Sequence, residues 1–550
     1  MTTSRAARTP WAGGALAGTA LAGTGELTRL AVRRDRIALP AAVYVIVALV
    51  AGTAYSFRKL YPTEAGRAAL AATGESNPAL RFLYGRLDGD SLGSLTTWRY
   101  GIWAAIFTAL MAIFVVVRHT RTDEEAGRLE LLGSAAVGRD APLTAGLLPA
   151  AAASLVIAGL LWLVLPLAHL PAAGSAALAL GIGGCGLAFT GITAVAAQVA
   201  STARGARGMA LGTLGAAFAL RGVGDAAGAG GLSWLSWASP LSWVQLARPF
   251  AAERWWVLGL PLAVFAVGVA LAFWLAAHRD HGAGLLPDRP GRAAASRWLS
   301  GPSGLAWRLQ RGALAGWAFG FAATFAASGA AAKGIGQLFG TSSALQRAFT
   351  RIGGQAAIVN AYLAGLMLLA GMVAAAFATS AVLRLRAEET AGRAEPVLAT
   401  ATSRVRWGLS HLAVAAGGSA LLLAVAGLAT GLGYGLRTGS PGPETARMLG
   451  AAMAQLPATL LVAGVAVALV GWWPVAAVAG AWTAVGAVVV ISLFGAVLQL
   501  SHWGLDISPF THVPKLPGGT VTVTPLLWLS VAALALAAAG LAGLRRRDIG

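Results

Sequence analysis

The chain has 550 residues, of which 57% are hydrophobic and only 11% charged, and its net charge is +20. Soluble proteins carry about 25% charged residues, so an ordinary globular core is excluded, and long Ala-, Leu- and Gly-rich runs exclude a transmembrane barrel. The positive charge is scattered between apolar runs and builds no aromatic-interleaved groove, which speaks for membrane orientation and against nucleic acid.

The chain opens with Arg5 and Arg8, followed by small apolar residues up to Gly25. This stretch has no long apolar signal core with a cleavage site and reads as a flexible cytoplasmic arm over residues 1–25. Glu26 to Arg36 is short, basic and amphipathic, the pattern of an interfacial helix leading into the membrane. Membrane spans need roughly 20 apolar residues. They are expected at about 37–56, 98–117, 143–169, 174–199, 209–221 and 254–277, the fifth being brief. Residues 57–97 fall on the outside, with room for a small helical element, although their basic residues run against the positive-inside pattern. Ser201 to Arg207 reads as a short basic inside loop. The Gly-, Ser- and Trp-rich stretch 222–253 reads as an outside segment with Trp234, Trp237 and Trp243 at the interface.

Residues 283–300 form a polar cytoplasmic linker, after which the plan repeats. Spans are expected at about 312–330, 359–383, 407–432, 451–471, 474–499 and 523–543. Leu305 to Arg311 matches Leu30 to Arg36, Ser508-Pro-Phe matches Ser239-Pro-Leu, and Arg547-Asp-Ile-Gly550 matches Arg279-Asp-His-Gly282. The expectation is an all-α polytopic membrane protein of about 12 transmembrane helices in two tandem six-helix halves, residues 26–282 and 301–550. Six spans per half give both halves one orientation, with both termini cytoplasmic.

One charged cassette occurs once in each half, at 118–140 and 384–406. Arg121, Glu124, Gly127, Arg128 and Glu130 recur as Arg386, Glu389, Gly392, Arg393 and Glu395, displaced by 265 residues, and Arg139 recurs as Arg404. Glu124 with Arg128, and Glu389 with Arg393, are spaced as i,i+4 helical pairs. Gly127 and Gly392 leave room for close approach by a partner or helix. The copies differ at Glu125/Thr390 and Leu131/Pro396, so they need not act identically. Recurrence in equivalent places points to paired docking sites for a cytoplasmic partner; a solvated loop helix is the plainer alternative.

The chemistry missing from the chain also informs. No Asp or Glu falls within the expected spans, which argues against a proton relay at the bilayer midplane. There is no phosphate-binding Gly-x-x-x-x-Gly-Lys-Ser/Thr loop; Ala332-Lys-Gly-Ile-Gly336 has its lysine before the glycines. The histidines form no metal-binding pattern and Cys185 is alone. No catalytic, cofactor-binding or metal residue is assigned, so any ATP hydrolysis belongs to another chain. The glycines around Gly181 to Gly191 fit close helix packing.

Glu124-Glu-Ala-Gly-Arg-Leu-Glu-Leu-Leu132, its repeat Glu389-Thr-Ala-Gly-Arg-Ala-Glu-Pro-Val397 and the linker Arg279 to Gly291 carry a resemblance over nearly the whole chain. The sequence resembles the membrane subunit of type-2 ABC exporters, in particular the actinobacterial permeases called exporters of polyketide antibiotics. The resemblance implies both transmembrane domains in one chain and two copies of a separate ABC ATPase subunit carrying ATP and Mg. It implies coupling roles around Glu124–Glu130 and Glu389–Glu395, and places Arg33 and Arg308 on the lead-in helices of the two halves. It implies ATP-driven export of a hydrophobic or amphipathic small molecule, an antibiotic or drug, with lipid export left open. An ion-coupled secondary transporter and a non-transport membrane scaffold are the alternatives.

Overall fold

A computed structural model of the chain describes residues 20–76, 78–128, 137–228, 231–279, 284–286, 294, 296, 299, 301–338, 354–494 and 501–548. Among them there is no strand. The chain divides into two compact units, Met1–Pro290 and Gly291–Gly550.

Unit one begins with α1 (Thr24–Arg34), whose C-cap Asp35 separates it from the first apolar helix, α2 (Ala38–Leu60). Two small helices, α3 (Glu64–Ser76) and α4 (Pro78–Tyr84), occupy the expected outside segment. The short α5 (Leu92–Thr96) and a π-helical turn, Thr97–Gly101, lead without a break into α6 (Ile102–His119). The one-turn α7 (Arg121–Glu125) holds the start of the cassette. Next come α8 (Ala141–Val164), α9 (Ala172–Val199), α10 (Ala203–Ala226), the short α11 (Trp243–Leu246) and α12 (Gly259–Ala277).

Unit two contains α13 (Pro302–Leu338), α14 (Gly354–Thr390), α15 (Ala394–Leu398) and α16 (Arg404–Thr438). It continues with α17 (Pro441–Met453), α18 (Leu456–Trp472), α19 (Ala477–Phe494), α20 (His502–Asp506) and α21 (Val523–Arg546).

Ten of these helical segments are long and apolar enough to cross a membrane, and Ala477–Leu493 is a shorter apolar helix. With α10, a described helix falls at each of the twelve expected positions. The exceptions to full spanning character are the fifth helices of both units. α10 is long enough but carries Arg204, Arg207, Arg221 and Asp225, and it starts inside the expected basic loop at 201–207. Thr202 caps its first turn by accepting from the amide of Gly205.

Unit one is organised around its fourth helix. α9 is the most buried of the ten candidate spans, and it packs against α6, α8 and α12. Small residues allow this: a Cβ on Gly183 would sit 2.7 Å from the Ser154 carbonyl, and one on Gly191 would sit 2.9 Å from that of Phe265. The expectation of close packing along Gly181 to Gly191 agrees with these approaches. In unit two α18 meets α21 in the same way, at Gly471 and Gly540.

The lead-in helices differ. Asp35 is 2% exposed and accepts from His119 Nε2 at 2.6 Å and from Arg118, so it bends the chain towards the end of α6 between α1 and α2. Its counterpart Gln310 lies within the continuous α13 and contacts His411 Nδ1 at 3.2 Å. Gln is a better helix former than Asp, which favours caps and turns. Arg33 and Arg308 both lie on exposed helix faces.

Candidate functional site

The cassette starts where α6 and α14 run out of apolar residues. In unit one Thr120 leaves helical geometry and α7 makes a single turn; in unit two α14 continues through Glu389 to Thr390. Both copies then turn at glycine, with φ +69° at Gly127 and +66° at Gly392. A Cβ at either would meet nothing within 4 Å. These glycines are required for the left-handed turn, and among the described residues of this chain no helix packs against them.

That turn changes which charges meet. The expected i,i+4 pairs between Glu124 and Arg128, and between Glu389 and Arg393, do not form, because the left-handed residue breaks the helical phase. Arg128 instead pairs with Asp123 at 2.5 Å, and Arg393 with Glu388 at 2.8 Å. The hydrogen bond to Glu388 raises the Arg393 pKa above its ordinary value.

Glu124 and Glu389 point inward, 7% and 5% exposed. Each is gripped by the arginine three residues earlier: Arg121 at 2.8 Å and Arg386 at 3.0 Å. Each is also gripped from the far end of its unit. Arg279 Nη1, just past α12, is 2.7 Å from Glu124 Oε1, and Arg547 Nη2, just past α21, is 2.7 Å from Glu389 Oε1. The trailing cassette arginines complete the arrangement. Arg139 donates to the Ala277 carbonyl at 2.8 Å, and Arg404 to the Arg547 carbonyl at 2.7 Å. An arginine on the last carbonyls of a helix satisfies its free acceptors and opposes the negative end of its dipole. In both units the cassette is thus clasped to the end of the last apolar helix.

The copies part at Glu125 and Thr390. Glu125 Oε1 accepts from the Ala203 amide at 2.7 Å, and Arg121 Nε donates to the Ser201 carbonyl at 3.0 Å, which fixes the start of α10. Thr390 turns its hydroxyl back to the Arg386 carbonyl, 2.9 Å away. Unit one adds Arg34 to Asp123 at 2.8 Å, which ties in α1.

Among the described residues, the exposed positions at the turns include Glu125, Ala126 and Arg128 in unit one, and Thr390, Ala391, Gly392, Arg393, Glu395 and Pro396 in unit two. Glu130 lies outside the described residues. Sequence reasoning missed Arg279 and Arg547, although it found their repeated Arg-Asp-x-Gly setting; two repeats kept at nearly constant separation were the available signal.

Residues 299–545 match the family described as multidrug efflux system permease Rv1217c, C-terminal domain. The chain is also 43% identical over 534 residues to the multidrug efflux system permease protein Rv1217c of Mycobacterium tuberculosis (strain ATCC 25618 / H37Rv). The aligned region covers 97% of this chain and 96% of that protein.

Proposed function

This chain belongs to the family of the multidrug efflux system permease Rv1217c, and on that premise we propose that it is the membrane permease of an ATP-driven exporter. In this reading it is a type-2 ABC permease with both transmembrane domains in one chain. Two copies of a separate ATPase subunit carry ATP and Mg, and the cargo is a hydrophobic or amphipathic compound such as an antibiotic or drug. Both termini face the cytoplasm.

The observation that carries the reading is the duplicated clasp. A motor made of two identical subunits needs one handle per half, and three ion pairs of one cassette recur at equivalent places in the other. The buried acids hold the handle in place, while the exposed turns around Arg128 and Arg393 meet the motor. ATP binding draws the two motor subunits together. Their motion is passed through each turn to the last apolar helix of the same unit, because Arg279 and Arg547 join the two. Cargo enters from the cytosol or inner leaflet and leaves outward.

Vesicles containing the chain copurified with its ATPase subunit provide the test, with a panel of amphipathic compounds. Accumulation is expected with ATP and not with a non-hydrolysable analogue. Export driven by an ion gradient without nucleotide would replace this reading with a secondary transporter. The isolated chain should bind no ATP, and charge reversal at Glu124 and Glu389 should weaken binding of the ATPase subunit.

A further inference from the structure

At the end of unit one remote from the cassette lies a cavity of about 240 Å³. α6, whose 18 residues span about 27 Å, separates the two ends. The cavity is lined by Arg86 and Asp88 after α4, by Asp225 in the last turn of α10, and by Ser242, Arg248 and Arg254 around α11.

Its acids are already matched. Asp225 accepts from Ser236 Oγ at 2.7 Å and pairs with the buried Arg221 at 3.3 Å. Asp88 Oδ1 lies 3.3 Å from Arg248 Nε. Arg86 and Arg254 are exposed, and among the described residues no carboxylate lies within 4 Å of either. Counting Arg221, four guanidinium groups face two carboxylates here, a net surplus of two positive charges, although Arg86 is near enough to Asp225 to act on it electrostatically. Ser242 is 2% exposed, yet its hydroxyl has no hydrogen-bond partner among the described residues. A buried donor left unmatched is costly, and an incoming acceptor relieves it.

The wall that presents these groups is held in an unfavourable backbone shape. Arg248, Phe250 and Ala252 have φ of 51°, 67° and 58°, values that cost a residue with a side chain. The Phe250 ring fixes the loop by filling the space over two glycines; a Cβ on Gly93 or Gly174 would come within 2.3 or 2.2 Å of it. The Arg254 amide closes the loop by donating to the Ala247 carbonyl at 2.8 Å.

The duplication does not extend here. With Ser239-Pro240 set on Ser508-Pro509, Ser242, Arg248 and Arg254 fall on Thr511, Pro517 and Val523. The Thr511 hydroxyl is satisfied locally, 2.6 Å from the Ser508 carbonyl.

We propose that this cavity binds a phosphate-type oxyanion, held by Arg86 and Arg254, with the Ser242 hydroxyl as a third, neutral donor. Guanidinium forks suit phosphate oxygens, and donors arriving from separate segments suit a tetrahedral group. The anion is either free in solution or the headgroup of an anionic lipid. The assignment does not depend on how transport is driven.

The full chain in a neutral maltoside detergent is titrated with inorganic phosphate by calorimetry. It is separately offered equimolar phosphatidylglycerol and phosphatidylcholine and analysed by native mass spectrometry. Saturable phosphate binding identifies a free anion; selective retention of phosphatidylglycerol alone identifies a headgroup. Either signal should weaken about tenfold or more in Arg86→Gln/Arg254→Gln, as expected for losing charge-assisted hydrogen bonds, and largely persist in Arg86→Lys/Arg254→Lys. Both arginines are exposed, and unchanged thermal melting verifies that the variants fold. Neither signal in the wild-type chain, or an equal signal in the Gln double variant, overturns the assignment.

Discussion

Arg279 reaches back 155 residues to Glu124 and places Nη1 and Nη2 2.7 and 3.0 Å from the two carboxylate oxygens. A fork of this kind on a nearly buried acid joins the last apolar helix of unit one to its cassette. Glu124→Gln would leave Arg121, itself 1% exposed, without its anion. Removing one partner of a buried ion pair costs up to about 3–5 kcal/mol. The melting temperature of the purified chain should therefore fall for Glu124→Gln and for Glu389→Gln. The swap Glu124→Arg/Arg279→Glu should recover part of the loss seen with Glu124→Arg alone. Unchanged melting in the single variants would mean that the clasp does not hold the cassette.

The cassette glycines allow a cleaner separation of coupling from stability. Gly127 and Gly392 are left-handed, with open space where a Cβ would go, so alanine introduces no clash. Its cost is the backbone term alone, about 1–2 kcal/mol, and asparagine, which tolerates this region better, should cost less. Gly127→Ala and Gly392→Ala should shift melting only modestly and reduce stimulation of the ATPase subunit by the permease. Gly127→Asn should lie between alanine and wild type in both assays.

Much of this architecture is legible in the sequence, because apolar run length and a repeated charged cassette are local signals. The twelve helical positions follow from the runs, and the correspondence of Ser239 with Ser508 identifies matching places. Both serines are fully buried, and each hydroxyl bonds to the fifth helix of its unit, at Ala217 and Ser492. What was not legible depends on the path of the backbone. The partners of Arg128 and Arg393 follow from a left-handed turn that helical periodicity does not describe. The Arg279–Glu124 and Arg547–Glu389 contacts join residues 155 and 158 positions apart, beyond any local rule. The lead-in heptads differ at Asp35 and Gln310, which hints at a break in unit one, but the Arg118 and His119 contacts that fix Asp35 are tertiary and lie beyond any local rule.

The difference between Glu125 and Thr390 should give the two cassettes unequal effects. Glu125 accepts from the first amide of α10, where a carboxylate satisfies a free donor and favours the positive end of the helix. Such contacts are worth about 0.5–2 kcal/mol. Glu125→Ala should speed hydrogen exchange at Ala203 and the residues next to it. Thr390→Ala should have little effect on the fifth helix of unit two. Equal effects of the two substitutions would argue against this asymmetry.

Close approach of the fourth and last helices gives the sharpest contrast between glycines of one composition and opposite roles. A Cβ on Gly471 would lie 2.1 Å from the Gly540 carbonyl oxygen, and one on Gly540 would lie 2.5 Å from the Val467 backbone. In unit one a Cβ on Gly268 would lie 2.7 Å from the backbone of Gly191. Backbone cannot yield as a flexible side chain does, so even alanine must push the helices apart, at about 1–3 kcal/mol for a single overpacked group. Gly450 is also helical, but it is exposed and a Cβ there meets nothing within 4 Å. Gly450→Ala should stabilise by about 0.8–1 kcal/mol through helix propensity. Measured in one detergent, Gly540→Ala and Gly268→Ala should therefore lower the melting temperature while Gly450→Ala raises it. The clasp joins each cassette to the same last helix that these glycines seat against the fourth. Gly540→Ala should accordingly also weaken transport per ATP hydrolysed, a loss that Gly450→Ala should not produce.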